Sequence, residues 1–333
     1  FYQTYSLSFS EPWLGGKKPV RLSASVSQTV QYFFDAQRRE ADRDRRFIIT
    51  GGSIGLAKRL QVPDDFFTLS GAISFQHFNL QNYNTGLFTF GDGYSNNLAL
   101  TVGLSRDNTF TNPVYPTGGS SFAITAKVTP PYSAWNGVDY ESLNEQQANG
   151  NLTAAVVGQE KFKWLEYYKL KFQGTWYNQI IGKFVLRTHA EYGFLGAYNS
   201  QRGVPPFERF FLGGDGLGGF SLDGRETIAL RGYPNQSLVP VDRSSLSQAT
   251  QNDGATIYNK YSLELRRHIT LKPAASIYLL AFLEGGASYD GFRDFNPFQL
   301  NRSAGAGLRI FMPAFGLLGI DFGYGFDPIP GTQ

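Results

Sequence analysis

Residues 20–30 read VRLSASVSQTV, with Val20, Leu22, Ala24, Val26 and Val30 alternating with Arg21, Ser23, Ser25, Ser27 and Thr29. Successive side chains of a strand point to opposite faces, so this stretch has one apolar face and one polar face. The pattern extends in both directions. Tyr5, Leu7 and Phe9 alternate with Thr4, Ser6 and Ser8. Further segments of the same kind lie at 46–60, 66–80, 95–106, 119–130, 164–178, 183–197, 256–268, 275–289, 301–312 and 316–326. Several run for ~10 to 15 residues, long enough for a tilted strand to cross a bilayer.

The connections alternate too. Those at 11–19, 61–65, 107–118, 179–182, 269–274 and 313–315 are short. Those at 35–45, 81–94, 131–163, 198–255 and 290–300 are mostly longer. Short turns on one side and long loops on the other are the pattern of an outer-membrane barrel. The expected fold is therefore all-β, a transmembrane antiparallel β-barrel with about 12 strands in this chain. A large soluble β-sandwich or a lipocalin-like barrel is the alternative. It would turn its apolar face inward and give Tyr and Phe no special place near strand ends, whereas a membrane barrel gathers them into girdles.

Composition supports this reading. The chain has 333 residues, 38 Gly, 29 Phe, 19 Tyr, no Cys and a net charge of +3. A barrel of this length fits one domain, 1–333. The absence of Cys removes disulfide scaffolds, thiol catalysis and Cys-bound zinc. The small net charge gives no argument for nucleic acid. No apolar run reaches 18 residues, so no transmembrane helix is expected. The first residues, FYQTYSLSFS, contain no basic and apolar leader and read as mid-strand. Residues 327–333, DPIPGTQ, read as an unfinished connection, and further strands are expected at both ends.

Two loops have distinctive composition. Residues 35–46, DAQRREADRDRR, read as a solvated outer loop, or as one touching lipid phosphates through Arg38, Arg39, Arg43, Arg45 or Arg46. Residues 136–160 are polar and read as an exposed loop or a flexible cap.

Motifs for chemistry are weak. Gly214-Asp215-Gly216-Leu217-Gly218-Gly219 superficially resembles a nucleotide loop but has no βαβ unit around it. His77, His189 and His268 lie on separate segments without metal-ligand spacing, so no metal, cofactor or barrel-wall catalysis is expected. His189 shares lumen parity with Arg187 and Glu191, a polar interior ladder.

The informative stretch is 209–235, RFFLGGDGLGGFSLDGRETIALRGYPN, inside the long connection at 198–255. An arginine within a membrane-embedded barrel needs an acidic partner or water. Parity supplies partners. If Tyr261, Leu263 and Leu265 face lipid, then Ser262, Glu264 and Arg266 face the lumen. The same argument places Glu284 inward beside Tyr278 and Phe282, Arg309 inward on the next segment and Asp321 inward on the last. We expect the loop to fold into the lumen with Arg231 held by this wall; ordinary charges lining a watery pore are the alternative.

These residues resemble the BamA family of outer-membrane β-barrel assembly factors. Leu230-Arg231-Gly232-Tyr233 resembles the family's V/L-R-G-F/Y loop motif, and Phe211-Leu212-Gly213-Gly214 the F-x-G-G that precedes it. Tyr115-Pro116-Thr117-Gly118 resembles a Y/F-P-T-x-G turn, and Leu263-Glu264 and Phe282-Leu283-Glu284-Gly285 the acidic strand positions. The resemblance covers essentially the whole chain. It implies a 16-stranded barrel, of which this chain would hold the fourth to fifteenth strands without the first strands, the last strand or the periplasmic POTRA repeats. The insertion between Gly214 and Arg231 is longer than the family pattern. The implied function is non-enzymatic: folding and inserting β-barrel proteins into the bacterial outer membrane. The implied partners are unfolded outer-membrane proteins, accessory periplasmic or surface lipoproteins, and membrane lipids including lipopolysaccharide. A translocation pore of the same superfamily, as in two-partner secretion, and a passive porin-like channel are the rivals.

Overall fold

The computed structural model of the chain describes residues 2–16, 19–35, 39–84, 88–109, 112, 114–216, 226–240, 254–272 and 274–329. Its strands are β1 (Tyr2–Glu11), β2 (Val20–Asp35), β3 (Glu40–Arg59), β4 (Phe67–Gln81), β5 (Gly93–Asp107), β6 (Gly118–Val128), β7 (Tyr168–Ile181) and β8 (Phe184–Gly196), then the short β9 (Phe210–Leu212) and β10 (Glu226–Ile228), then β11 (Ile257–Lys272), β12 (Ala275–Tyr289), β13 (Asn301–Met312) and β14 (Gly316–Gly325). All but β9 and β10 form one antiparallel 12-stranded sheet in sequence order, with β8 paired directly to β11. β1 and β14 stand at its two ends and are not paired with each other in the described residues. No described helix is long and apolar enough to cross a membrane.

The expected alternation sets the two faces. Along β12, Leu279, Ala281 and Leu283 are exposed while Tyr278, Leu280, Phe282 and Glu284 between them are buried. On β11, Leu263 and Leu265 are exposed and Ser262 and Glu264 are buried. Leucines outside and carboxylates inside invert the order of a water-soluble protein and match a barrel wall in lipid.

One segment demonstrates the curvature. Residues 202–216 and 226–240 form that segment, and it reaches inward-facing Phe47 of β3 and Phe78 of β4 through Phe207. The same segment reaches Asp321 of β14 through Arg231. Only a sheet curled around that segment lets it touch strands so far apart in sheet order.

Three sequence expectations need correction. The charge run at 35–46 is mostly strand, because β2 and β3 keep pairing across a register shift between Tyr32 and Phe33. Beyond the membrane, water solvates both faces, so polar residues do not stop a strand. Arg45 lies over the Phe33 ring at 3.6 Å, and Arg46 donates to Gln81 at 2.6 Å, so both have protein partners. Arg38 lies outside the described residues. Residues 136–160 form much of two helices, α1 (Tyr140–Ala148) and α2 (Ala154–Phe162). Asp139 caps α1 by accepting from the Glu141 and Ser142 amides, and Thr153 caps α2 by accepting from the Val156 amide. Finally, β7 starts at Tyr168 rather than at 164. Trp164 instead bridges to Asn96 of β5.

The two faces give a direct prediction. Leu279→Arg, in the outward row of β12, should cost about 2–4 kcal/mol of folding free energy into a bilayer, read from urea titrations. A cost near zero would mean that this face does not meet lipid.

Candidate functional site

The described residues of the connection from β8 to β11 leave the sheet and pack against its inner face. Here β9 and β10 pair in parallel, and Gly214 bridges to Leu230. That places the Phe211-Leu212-Gly213-Gly214 run beside Leu230-Arg231-Gly232-Tyr233. Gly213 and Gly214 have φ of 120° and 98°, where side chains are strained. A Cβ on Gly213 would sit 2.5 Å from the Pro234 carbonyl oxygen, and one on Gly214 would overlap the Asn235 side chain. Phe211, Leu212 and Leu230 are buried with Phe210, Tyr258 and Leu238 in the main apolar cluster. Leu217, Gly218 and Gly219 lie outside the described residues.

This packing projects Arg231 at the wall. Its Nε and Nη2 donate to Glu284 Oε1 at 3.1 and 2.6 Å, and its backbone N–H donates to Glu284 Oε2 at 2.9 Å. Nη2 also donates to Glu264 Oε1 at 2.7 Å, and Nη1 to Asp321 Oδ2 at 3.3 Å. The guanidinium lies 3.7 Å above the Phe282 ring. Burial opposes the charge on Arg231, and Glu284 and Glu264 more than offset it, so the group holds its proton more tightly than a free arginine. Glu284 is 6% exposed and pairs with no other cation among the described residues, whereas Glu264 also takes Arg266 at 2.5 Å and faces Arg187 at 3.6 Å.

Gly232 and Tyr233 complete the seat. At φ 93°, Gly232 approaches β13 and β14 so closely that a Cβ would lie 2.9 Å from the Gly325 nitrogen and from Ser303 Cβ. Gly323 and Gly325 supply matching space on β14. The Tyr233 hydroxyl donates to the Arg302 carbonyl at 2.8 Å and accepts from the Asp327 amide at 3.2 Å. Arg309 sits in the same wall but does not contact Arg231. It pairs with Asp321 through two hydrogen bonds of 2.6 and 2.7 Å, so it orients one carboxylate of the seat.

Sequence reasoning missed a second anchorage on the opposite wall. Glu208 pairs with Lys127 at 2.6 Å and Lys169 at 3.2 Å, and accepts from the Tyr167 hydroxyl at 2.7 Å. Glu226 pairs with Lys169 at 2.7 Å and with Lys171. The two glutamates and three lysines line a cavity of about 470 Å³ together with Phe78, Phe207 and Thr125. Burial pushes the Glu208 carboxyl up, but Lys127 and Lys169 outweigh it and hold the group down at about 2. Nearer the mouth, Arg202 donates to Glu166 at 2.8 Å, both nearly fully buried. The alternation of Lys127, Lys169 and Lys171 was the available signal, since all three share inward parity with no acid beside them on their strands.

The Tyr115-Pro116-Thr117-Gly118 turn is elsewhere. Tyr115 is completely buried, and its hydroxyl donates between the Lys183 and Arg266 carbonyls, at 3.1 Å from each. Its ring packs edge-on against Tyr278 and His268. Pro116 is buried beside it, while Thr117 and Gly118 lead into β6. This turn plugs the short-turn end of the wall below the Arg231 seat. Its link to the seat runs through the strand wall, where Arg266 holds Glu264.

Two tests follow from the geometry. Arg231→Ala strands Glu284 without a cation and should destabilise the seated loop by about 3–5 kcal/mol. Arg231→Lys should recover only part of this, since a single ammonium cannot fork between two carboxylates; limited proteolysis within 198–255 reads both. For Glu208, the folded value lies below that of a free carboxyl. Its contribution is therefore complete above the ordinary carboxylate range and is lost as pH falls towards about 2. Loop protection should fall across that window, and Glu208→Gln should make the fall shallower, the remainder coming from Glu226, which Lys169 and Lys171 also hold down, and from the carboxylates around Arg231.

The Omp85 superfamily domain matches residues 1–332 of the chain. Among solved structures, BamA from Haemophilus ducreyi lacking POTRA domains 1-3 superposes with a TM-score of 0.66 at 18% identity, covering 99% of this chain and 60% of that one. CdiB from Escherichia coli superposes with a TM-score of 0.51 at 14% identity, covering 98% of this chain and 49% of that one. At these identities the likeness is one of fold, and the chain spans less than two thirds of either protein. No curated protein sequence matches the chain closely enough to count as a relative. The chain belongs to the Omp85 superfamily and carries its β-barrel fold, a fold of the bacterial outer membrane.

Proposed function

We propose that this barrel belongs to an assembly factor that folds and inserts β-barrel proteins into the outer membrane, with a lumenal loop held in place by Arg231. The observation that carries the reading is the Arg231 seat, in which one side chain joins Glu264 of β11, Glu284 of β12 and Asp321 of β14. A passive channel needs an open lumen, and a loop anchored on both walls works against conduction.

The physical task of such a factor is to lower the cost of bringing unpaired backbone into lipid. Each unsatisfied N–H or C=O costs several kcal/mol there, and a strand edge that offers hydrogen bonds reduces that cost. The edge can move only if the rest of the barrel holds its shape. In this reading Arg231 keeps β11 to β14 as one stiff wall, and rearrangement takes place elsewhere in the full barrel. No bond is made and no nucleotide is consumed. The proposed partners are unfolded outer-membrane proteins, accessory lipoproteins and the surrounding lipid, including lipopolysaccharide.

The second reading is a secretion pore of the two-partner type, supported by the likeness in fold to CdiB. There the loop would be a plug that leaves the lumen when cargo passes.

Replacing the full-length protein with its Arg231→Ala form in the host separates the readings. An assembly factor should lose many unrelated outer-membrane barrels together, severalfold, with their precursors accumulating. Loss of a single exported protein with the other barrels intact would select the secretion pore instead.

A further inference from the structure

The loop at 290–300, between β12 and β13, folds outwards where the 198–255 loop folds inwards. Outward parity on β8, β11 and β12 gives Phe194, Ile257, Asn259, Gly285 and Tyr289, and the loop covers all five. Phe292 stacks on Phe194 at 5.6 Å and an interplanar angle of 2°, and Phe295 meets Phe194 and Tyr289 edge-on. The Tyr289 hydroxyl is donated to the Asn296 and Gln299 carbonyls. Asn259 donates its amide to the Pro297 carbonyl at 3.1 Å, which shields a polar group on the lipid-facing side. Leu300 lies against Gly285. The loop is therefore draped over the membrane side of the wall and not over its mouth.

Its height is fixed by β12. From Ala275 to Gly285 the strand climbs about 25 Å at ~3.4 Å per residue and a tilt of ~40°, which is the height of a barrel's apolar band. Leu300 sits on Gly285, so the loop begins where the hydrocarbon ends. At that level it presents Phe298, 87% exposed, and Phe292, 61% exposed, with the exposed, oppositely charged neighbours Arg293 and Asp294 between them in sequence. The exposed row Leu279, Ala281 and Leu283 below runs up to the loop. Exposed aromatic rings at the upper border of an apolar face are the composition of an element lying at the headgroup level, where the charged pair between them stays hydrated.

We propose that residues 290–300 form an interfacial shelf, which seats Phe292 and Phe298 at the headgroup–acyl boundary of the outer leaflet. The shelf widens the barrel's footprint on the side of β8, β11 and β12 and fixes its depth there. The inference rests on the membrane barrel alone and is independent of the assembly function. Its failure would leave that function untouched.

The chain has no cysteine, so single labels are unambiguous in it. Spin labels at Phe298→Cys, at outward-facing Leu283→Cys and at Gln147→Cys, exposed on the polar helix α1, would be placed in the full-length protein, reconstituted in bilayers containing lipopolysaccharide. Collisions with oxygen and with a water-soluble nickel chelate are then compared. The shelf predicts an oxygen-to-nickel ratio at Phe298 close to that at Leu283 and well above that at Gln147. A ratio matching Gln147 would put the loop in water and overturn the proposal. Exclusion of both reagents would mean that a protein covers the loop, and would overturn it too. A label at Gln299, with Phe298 intact, repeats the test without removing the phenylalanine.

Discussion

An arginine inside a membrane barrel cannot lose its charge cheaply, and three carboxylates on three strands cannot share a wall without a cation between them. Arg231 resolves both demands at one point. Its fork reaches Glu284 and Glu264, its third nitrogen reaches Asp321, and its face covers Phe282. The remaining strand of that wall, β13, is tied in through Tyr233 and the Arg302 carbonyl. Three strands and one loop thus meet at a single residue, and its near neighbour Tyr233 adds the fourth. The dependence is uneven, since Glu264 keeps Arg266 when Arg231 is lost while Glu284 keeps only the Ser262 hydroxyl.

The opposite wall works by a different chemistry. Lysines are point charges, and three of them surround Glu208 and Glu226 around a cavity large enough for water. Such pairs set position with less directional preference than a forked arginine. Between the two walls the loop fills the lumen with aromatic and aliphatic side chains, Phe207, Phe210, Phe211 and Leu230 among them. The loop is thereby an inner core for a sheet whose outer face belongs to lipid. The two long connections flanking β11 and β12 divide the labour: one is the core inside, and the other lies on the wall outside.

The strands were legible because a barrel wall has only two environments, and period-two alternation records both. Glu264, Glu284 and Asp321 could be placed inward from the apolar residues that alternate with them, and the structure sets each within hydrogen-bond reach of Arg231. The role of Arg309 was not legible, because parity fixes a face but not which neighbour an arginine chooses. Glu208 was hidden because it lies in a loop, where no period assigns direction. The helices at 140–148 and 154–162 escaped because they are short, and their caps, Asp139 and Thr153, carry no amphipathic pattern behind them. The charged strand ends near residue 40 were misread because polarity signals a loop only where one face must be dry. The outward fold of 290–300 left no trace beyond its phenylalanines.

The central claim is that Arg231 and Glu284 act as one unit in holding the loop on the wall. A double-mutant cycle on hydrogen exchange of the 226–233 segment tests it most directly, using Arg231→Ala, Glu284→Gln and both together in the full-length protein. The account predicts that each single variant speeds exchange and that the double variant is no worse than Arg231→Ala alone. Losses that simply add would mean that the two residues act independently, and would contradict it.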